Sequence, residues 1–211
     1  MLLKKSDKVI FEINSDTKDI NLIISNIYTA YDLGVRTVLF YSQELNLEDI
    51  LDTISEFKSN VEDDVSNMCF GISFEEILGD TTILNEIKFA GFDFILIPQN
   101  YDPSLFIPFI QEAKLLELQV FVKLSVFLNA QQVKFAKKFL NLGIPDELIK
   151  EMENSSNPLA TSVKFTKEYI DFLEVLEIDG LFLKIPQNER NLPIKKALLS
   201  NEEINEETNI K

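Results

Sequence analysis

The chain has 211 residues, 45% of them hydrophobic, which suffices for one sizeable domain with a real core and excludes wholesale disorder. Its 35 acids outweigh 20 bases, giving a net charge of −15 that makes nucleic acid and anionic membrane poor partners. There is no histidine, so acid–base chemistry must fall to carboxylates, lysine, tyrosine or a cofactor, and no metal is expected.

The amino-terminal "MLLKKSDKVIFEI" lacks the apolar stretch and small-residue cleavage site of a signal peptide, and no uninterrupted apolar run is long enough to cross a bilayer. A single cysteine, Cys69, offers neither a disulfide framework nor a zinc cluster. A reduced, cytoplasmic protein is the expectation.

Short apolar runs recur along the chain: Lys8–Ile13, Thr37–Ser42, Cys69–Phe74, Asp93–Pro98, Val120–Phe127 and Gly180–Pro186. Their length and their β-branched and aromatic content predict strands buried on both faces. Between them, helical spacing predicts helices over Asp19–Leu33, Leu47–Lys58 and Pro103–Leu116. In the first, Ile20, Ile23, Ile24, Ile27 and Tyr31 share one face. "DLGVRTV" and "FAGFDFI" place glycine after a helix and just before a strand, the usual αβ connection. The segment Asn141–Asn157 interrupts the rhythm with a short helix entered through Pro145, then a polar loop. The tail from Ser200 to Lys211 is acidic and set apart from a single barrel-like domain over residues 1–199.

Strand and helix alternate six times, which demands a parallel sheet. No glycine-rich phosphate loop follows any strand, which weakens a nucleotide-binding doubly wound sheet. The tetrapeptide Ile-Pro-Gln-Asn ends two strands, at Ile97–Asn100 and Ile185–Asn188, and a near-repeat of this kind suits equivalent positions around a barrel. The predicted class is therefore α/β, a (β/α) TIM-barrel-like fold, incomplete relative to eight strands. In such barrels functional groups sit at the carboxyl ends of strands, where Gln99 and Gln187 would lie. Pro-Gln-Asn is also ordinary loop chemistry.

Other candidate chemistry is thin. Glu75-Glu76 and Glu202-Glu203 are carboxylate pairs, but adjacent residues point in different directions and make no acid–base dyad. Cys69 reads as a small core residue, and the 17 phenylalanines read as core packing.

The order of segments resembles the methylenetetrahydrofolate reductase family, flavin-dependent (β/α) barrel enzymes of one-carbon metabolism. The likeness is carried by "LGVRTVLFYSQE", by "AGFDFILIPQNYDPSLFIPFI", by "LSVFLNAQQVKFAKKFLNLGIPDELIKEME" and by "DGLFLKIPQNERN". Against that family the chain starts at the third strand. The general-acid glutamate of the missing part has no counterpart here.

The resemblance implies substrate-binding roles for Gln99 against a pterin, for Glu44 in place of the family's aspartate, and for Gln132 near a folate tail. It implies a flavin (FAD) site in which Ser42, Gln43 and Lys88 occupy matched positions. Glu12, Thr81, Leu84 and Ile87 stand where the family has its other flavin contacts, which predicts weak or absent flavin binding. Six strands of an eight-stranded barrel leave two edges, so a homo-oligomer or a partner chain completing the barrel is expected. Three functional readings follow. The first is a methylenetetrahydrofolate reductase-like oxidoreductase with reduced or lost activity. The alternative is a non-catalytic folate-like binding or partner subunit, and a third is a different barrel enzyme.

Overall fold

The computed structural model describes residues 10–14, 19–41, 47–60, 65, 67–73, 80–140 and 142–184. All six predicted strands form: β1 (Ile10–Asn14), β2 (Thr37–Tyr41), β3 (Cys69–Ser73), β4 (Phe94–Ile97), β5 (Gln119–Ser125) and β6 (Gly180–Lys184). They lie in one sheet in chain order, parallel and alternating with helices, an incomplete TIM-barrel-like α/β fold. The helices are α1 (Ile20–Asp32), α2 (Leu47–Asn60), α3 (Ile83–Phe89), α4 (Pro103–Leu115), α5 (Ala130–Phe139), α6 (Asp146–Asn154) and α7 (Pro158–Val175).

The described residues fall into two compact units. One runs up to Pro98 and takes in Pro108–Phe121; the other comprises Gln99–Ile107 and the described residues from Val122 onward. In the first unit, β1 to β4 pair in register, with Phe40 opposite Ile72 and Ile72 opposite Ile95. Because side chains alternate along a strand, Phe40, Phe70, Ile72 and Ile95 share one face. On that face Phe40 stacks on Phe70 and meets Phe92 edge-on, while Phe57 of α2 packs edge-to-face on Phe70. The opposite face carries Leu39, Gly71 and Phe94, all buried except for the glycine's missing side chain. Phe94 stands over Gly71, its ring occupying the space where a Cβ would go, and meets Phe121 edge-on at 5.3 Å. Both faces of β2 to β4 are covered, as their unbroken apolar sequences require; β1 buries Ile13 but exposes Ile10, Glu12 and Asn14, so the expected burial on both faces fails there.

Helix α1 begins where Asp19 caps it, its carboxylate accepting from the Asn21 and Leu22 amides at 3.0 and 3.3 Å. It buries Ile23, Ile27 and Ala30, whereas Ile20 in the first turn is exposed, so the buried stripe is narrower than the predicted one. Four αβ connections share one geometry: a single left-handed residue follows the helix. Gly34 and Gly91 occupy it twice, at φ +83° and +88°, and Glu117 and Glu177 occupy it at φ 55° and 54°. The next amide then reaches back to close the helix, as with Phe92 to Ile87 and Leu118 to Ala113.

In the second unit, the predicted short helix is α6, entered through Pro145 with Asp146 and Glu147 in its first turn. Its Leu148 and Met152 pack with Phe127, Val133, Ala136 and Ile144. Helix α7 begins at Pro158, with Asn157 as its cap. Its Ser162 hydroxyl accepts from the Phe127 amide at 3.1 Å, a buried bond that ties α7 to the end of β5.

Candidate functional site

The carboxyl end of β4 is the position that the strand-end glutamine marks. Gln99 is 4% exposed, and its amide works as a backbone mimic. The Oε1 atom accepts from the Ser125 amide at 2.8 Å, and Nε2 donates to the Ser125 carbonyl at 3.5 Å and to the Tyr101 hydroxyl. The side chain thus extends the sheet's hydrogen bonding past the last residue of the strand. Asn100 is also buried, its Oδ1 accepting from the Asp102 amide at 2.8 Å. Its carbonyl accepts from the Tyr169 hydroxyl of α7. The Tyr101 amide donates to the Leu142 carbonyl at 2.8 Å, and a Cβ on Gly143 would sit 3.0 Å from Asn100 Oδ1.

Aromatic rings close this cluster. Tyr101 lies 4.6 Å from Tyr169 and 5.1 Å from Phe165, centroid to centroid. Burial pushes the Tyr101 phenol well above its ordinary range, opposed by its bond to Gln99. Burial and the neighbouring Tyr101 do the same to Tyr169, opposed by its bond to the Asn100 carbonyl. Both phenols stay protonated at neutral pH and serve as donors and packing groups. The chemistry of this strand end is structural: every polar side chain described above is spent on the loop that follows β4.

The other sequence candidates are dispersed. Gln132 is the third residue of α5, where its Oε1 accepts from the Leu128 amide at 2.8 Å while its own amide donates to Asn129 Oδ1 at 3.0 Å. Asn129 thus caps the helix, while the Gln132 side chain reaches back to the residue before the cap. Lys88 is in the last turn of α3, beyond which the chain enters the amino end of β4. Its ammonium donates to the Glu117 carbonyl at 3.1 Å. Glu12 is exposed on β1. Ser42, Gln43, Glu44, Glu75, Glu76, Gln187, Glu202, Glu203 and the acidic tail lie outside the described residues. Among the described residues no three His, Cys, Asp or Glu side chains converge as metal ligands. Nor is any described helix long and apolar enough to cross a membrane.

Cys69 is half-buried at the start of β3, and burial, then the charge of Asp93, push its thiol up to about 11 against the pull of Lys58. A thiol held protonated in this way is a poor nucleophile. Lys58 is the centre of a clamp. Its ammonium donates to the Gly91 carbonyl, lies 3.8 Å from Asp93 and rests 4.9 Å from the centre of the Phe70 ring. Gly91 has no side chain to obstruct the Lys58 stem, which passes 2.9 Å from where a Cβ would stand. Asp93 in turn accepts from the Phe70 amide at 2.8 Å. The clamp fixes the end of α2 against the turn that follows α3.

A groove of about 520 Å³ lies between the two helices. Glu48, Leu51, Asp52 and Ser55 of α2 line one side; Asn85, Glu86 and Phe89 of α3, with Ala90, line the other. Leu51 and Ala90 are buried and form an apolar floor, while Phe89 is 92% exposed at the rim. Three carboxylates, Glu48, Asp52 and Glu86, are among the lining residues. The expectation that the phenylalanines are core packing fails at Phe89, and again at Phe135 and Phe139 of α5, which are also exposed. The signal was present in the helical spacing: Leu84 and Ile87 define the buried stripe of α3, and Phe89 falls off it.

No family model matches the chain, and no curated protein matches it. Among solved structures it is similar to a chain of the tryptophan synthase a2b2 complex from Pyrococcus furiosus, at 11% identity and a TM-score of 0.46, over 84% of this chain and 86% of that one. A mutant tryptophan synthase alpha subunit from the same organism gives 12% identity, the same TM-score and the same coverage.

These comparisons correct the resemblance to the methylenetetrahydrofolate reductases, for which there is no family match. Both functional readings drawn from it, the folate reductase and its non-catalytic folate-like counterpart, fall with it. The physical reason lies in what the shared motifs do. In "AGFDFILIPQN", Gly91 makes the left-handed turn just after the helix cap, Asp93 accepts a neighbouring strand's amide, and Gln99 brackets β5. In "NAQQVKF", Asn129 and Gln132 cap a helix. Each is a solution to building a (β/α) unit.

Proposed function

We propose that this chain is a protein-binding module whose α2–α3 groove receives a cationic, amphipathic helical segment. The observation that carries the reading is the groove itself, an apolar floor and an exposed Phe89 with three carboxylates in the lining. An exposed phenylalanine gains free energy when an apolar face covers it, at roughly 25 cal/mol per Å² removed from water. Glu48, Asp52 and Glu86 select lysine or arginine along the flanks of whatever covers it and repel an acidic competitor. An apolar stripe flanked by cations is the pattern of a helix laid in a groove. A small anionic metabolite gains nothing from these carboxylates.

The test is fluorescence anisotropy with a labelled amphipathic peptide of leucine and lysine, beside a counterpart in which glutamate replaces lysine. The lysine peptide is expected to bind, more weakly as salt rises, and to lose about tenfold in affinity on combining Phe89→Ser with Glu86→Lys. Glu174→Lys, an exposed charge reversal on α7, serves as the control for net charge. If that control weakens binding as much as the groove variants do, attraction to the acidic surface alone explains the result, and the reading is wrong.

A further inference from the structure

The groove's partner has a stated chemistry, and one segment of this chain matches it. Helix α5 reads AQQVKFAKKF, with three lysines and no acid in 10 residues, on a chain whose net charge is −15. It buries Val133 and Ala136, and on the opposite side it presents Phe135 and Phe139, 58% and 61% exposed. The two rings are in contact, centroids 4.7 Å apart, and the Lys138 ammonium lies 5.0 Å from the centre of the Phe139 ring. Leu140 extends this apolar surface beyond the helix end. Lys134 pairs with Glu153, and Lys137 with Asp146 at 2.7 Å, so two ion pairs to α6 brace the helix. The Phe135–Lys138–Phe139 face is left presented outward.

We infer that the occupant of the α2–α3 groove is α5 of a second copy of this chain. The inference rests on the groove reading above and adds the identity of the partner. Three features agree. The described residues lining the groove include three carboxylates and no cation, and α5 carries no acid of its own; with Lys134 and Lys137 paired to α6, Lys138 is the α5 lysine outside those pairs and the one set to meet the carboxylates. Both surfaces expose aromatic rings, Phe89 at the groove rim and Phe135 with Phe139 on α5, the residue type that dominates binding energy. The stretch of α2 that lines the groove, Glu48 to Ser55, is about 10 Å long at 1.5 Å per residue, and α5 is about 15 Å, so one helix spans the other. Each copy carries one groove and one α5, so the contact is head-to-tail and propagates into a ring or a filament.

Sedimentation velocity over a concentration series tests this with two exposed-site variants, each checked for fold by circular dichroism. One disables the groove (Glu86→Lys with Phe89→Ser); the other disables the helix (Lys138→Glu with Phe139→Ser). The parent chain is expected to self-associate, with about tenfold weaker association in high salt. Each variant alone is expected to be monomeric at the same concentration. Their equimolar mixture is expected to form a one-to-one dimer and nothing larger, because a single complementary pair of surfaces survives. A helix variant that still assembles overturns the inference, as does a mixture that stays monomeric. A parent that remains monomeric up to roughly 1 mM, the weak limit of specific association, also overturns it. If that monomer still binds the lysine peptide, the groove reading stands and only the partner is wrong; if it binds neither, the groove reading falls as well.

Discussion

Gly71→Ala should be one of the most damaging single methyl additions available in this chain. An alanine Cβ at this position would stand 2.0 Å from Cε2 and Cζ of Phe94 and 2.4 Å from Cε1. Carbon atoms at rest approach to about 3.5 Å, so the ring must retreat by roughly 1.5 Å. It has little room: Phe94 is 2% exposed and is held edge-on by Phe121. Overpacking of a well-filled core costs about 1–3 kcal/mol, and a clash with the centre of an aromatic ring belongs at or above the top of that range. With a urea m-value of about 2 kcal/mol per molar, a loss of about 3 kcal/mol moves the unfolding midpoint down by about 1.5 M. Phe94→Leu removes the obstructing ring, so the double variant should lose about 2 kcal/mol less than the two singles together. Urea titration followed by circular dichroism reads all three. A Gly71→Ala midpoint within experimental error of the parent, or strict additivity in the double variant, would refute the packing argument.

Gln99→Leu should cost about 2–3 kcal/mol and selectively speed hydrogen exchange at the Ser125 amide, because a buried donor loses its acceptor; unchanged exchange there would show the bracket to be incidental. Glu117→Gly should raise stability by about 0.5–1 kcal/mol, since glycine adopts the left-handed conformation at φ 55° without the Cβ penalty and keeps the carbonyl that Lys88 uses. Cys69 should resist alkylation at pH 8 and react faster at that pH in Asp93→Asn, which removes a charge holding the thiol up; equal rates would discount the role of Asp93. The same thiol makes stability pH-dependent. Between its unfolded value of 9.0 and its folded value of about 11, the unfolded chain has lost the proton and the folded chain retains it. Rising pH therefore favours unfolding across that window, and the contribution is fully present below 9. A denaturation midpoint that does not move in Cys69→Ser relative to the parent from pH 9 to 11 would contradict the assignment.

The sequence by itself determined the alternation of strand and helix, because burial on two faces writes a continuous apolar run and burial on one writes a helical stripe. All six strands were legible as apolar runs, within a few residues at each end, although two-faced burial holds for β2 to β4 and not for β1 or β5; the glycine turns at Gly34 and Gly91 were legible too. It also determined the charge balance that rules on partners. The tertiary structure alone decided what the polar residues are for. Gln99 looks identical in sequence whether it faces a ligand or pairs with Ser125 across 26 positions of chain, since hydrogen-bond partners distant in sequence leave no local trace. The same holds for Lys88 on the Glu117 carbonyl and for Lys58 on Gly91. Among the described residues, Gln99, Gln132 and Lys88 make hydrogen bonds at the joints of (β/α) units, which any chain of this class must solve with the same few side chains. The groove between α2 and α3 was hidden for a related reason. Phe89 is one more phenylalanine in a chain rich in them, and only the packing of neighbouring elements decides which rings are covered and which are left facing outward.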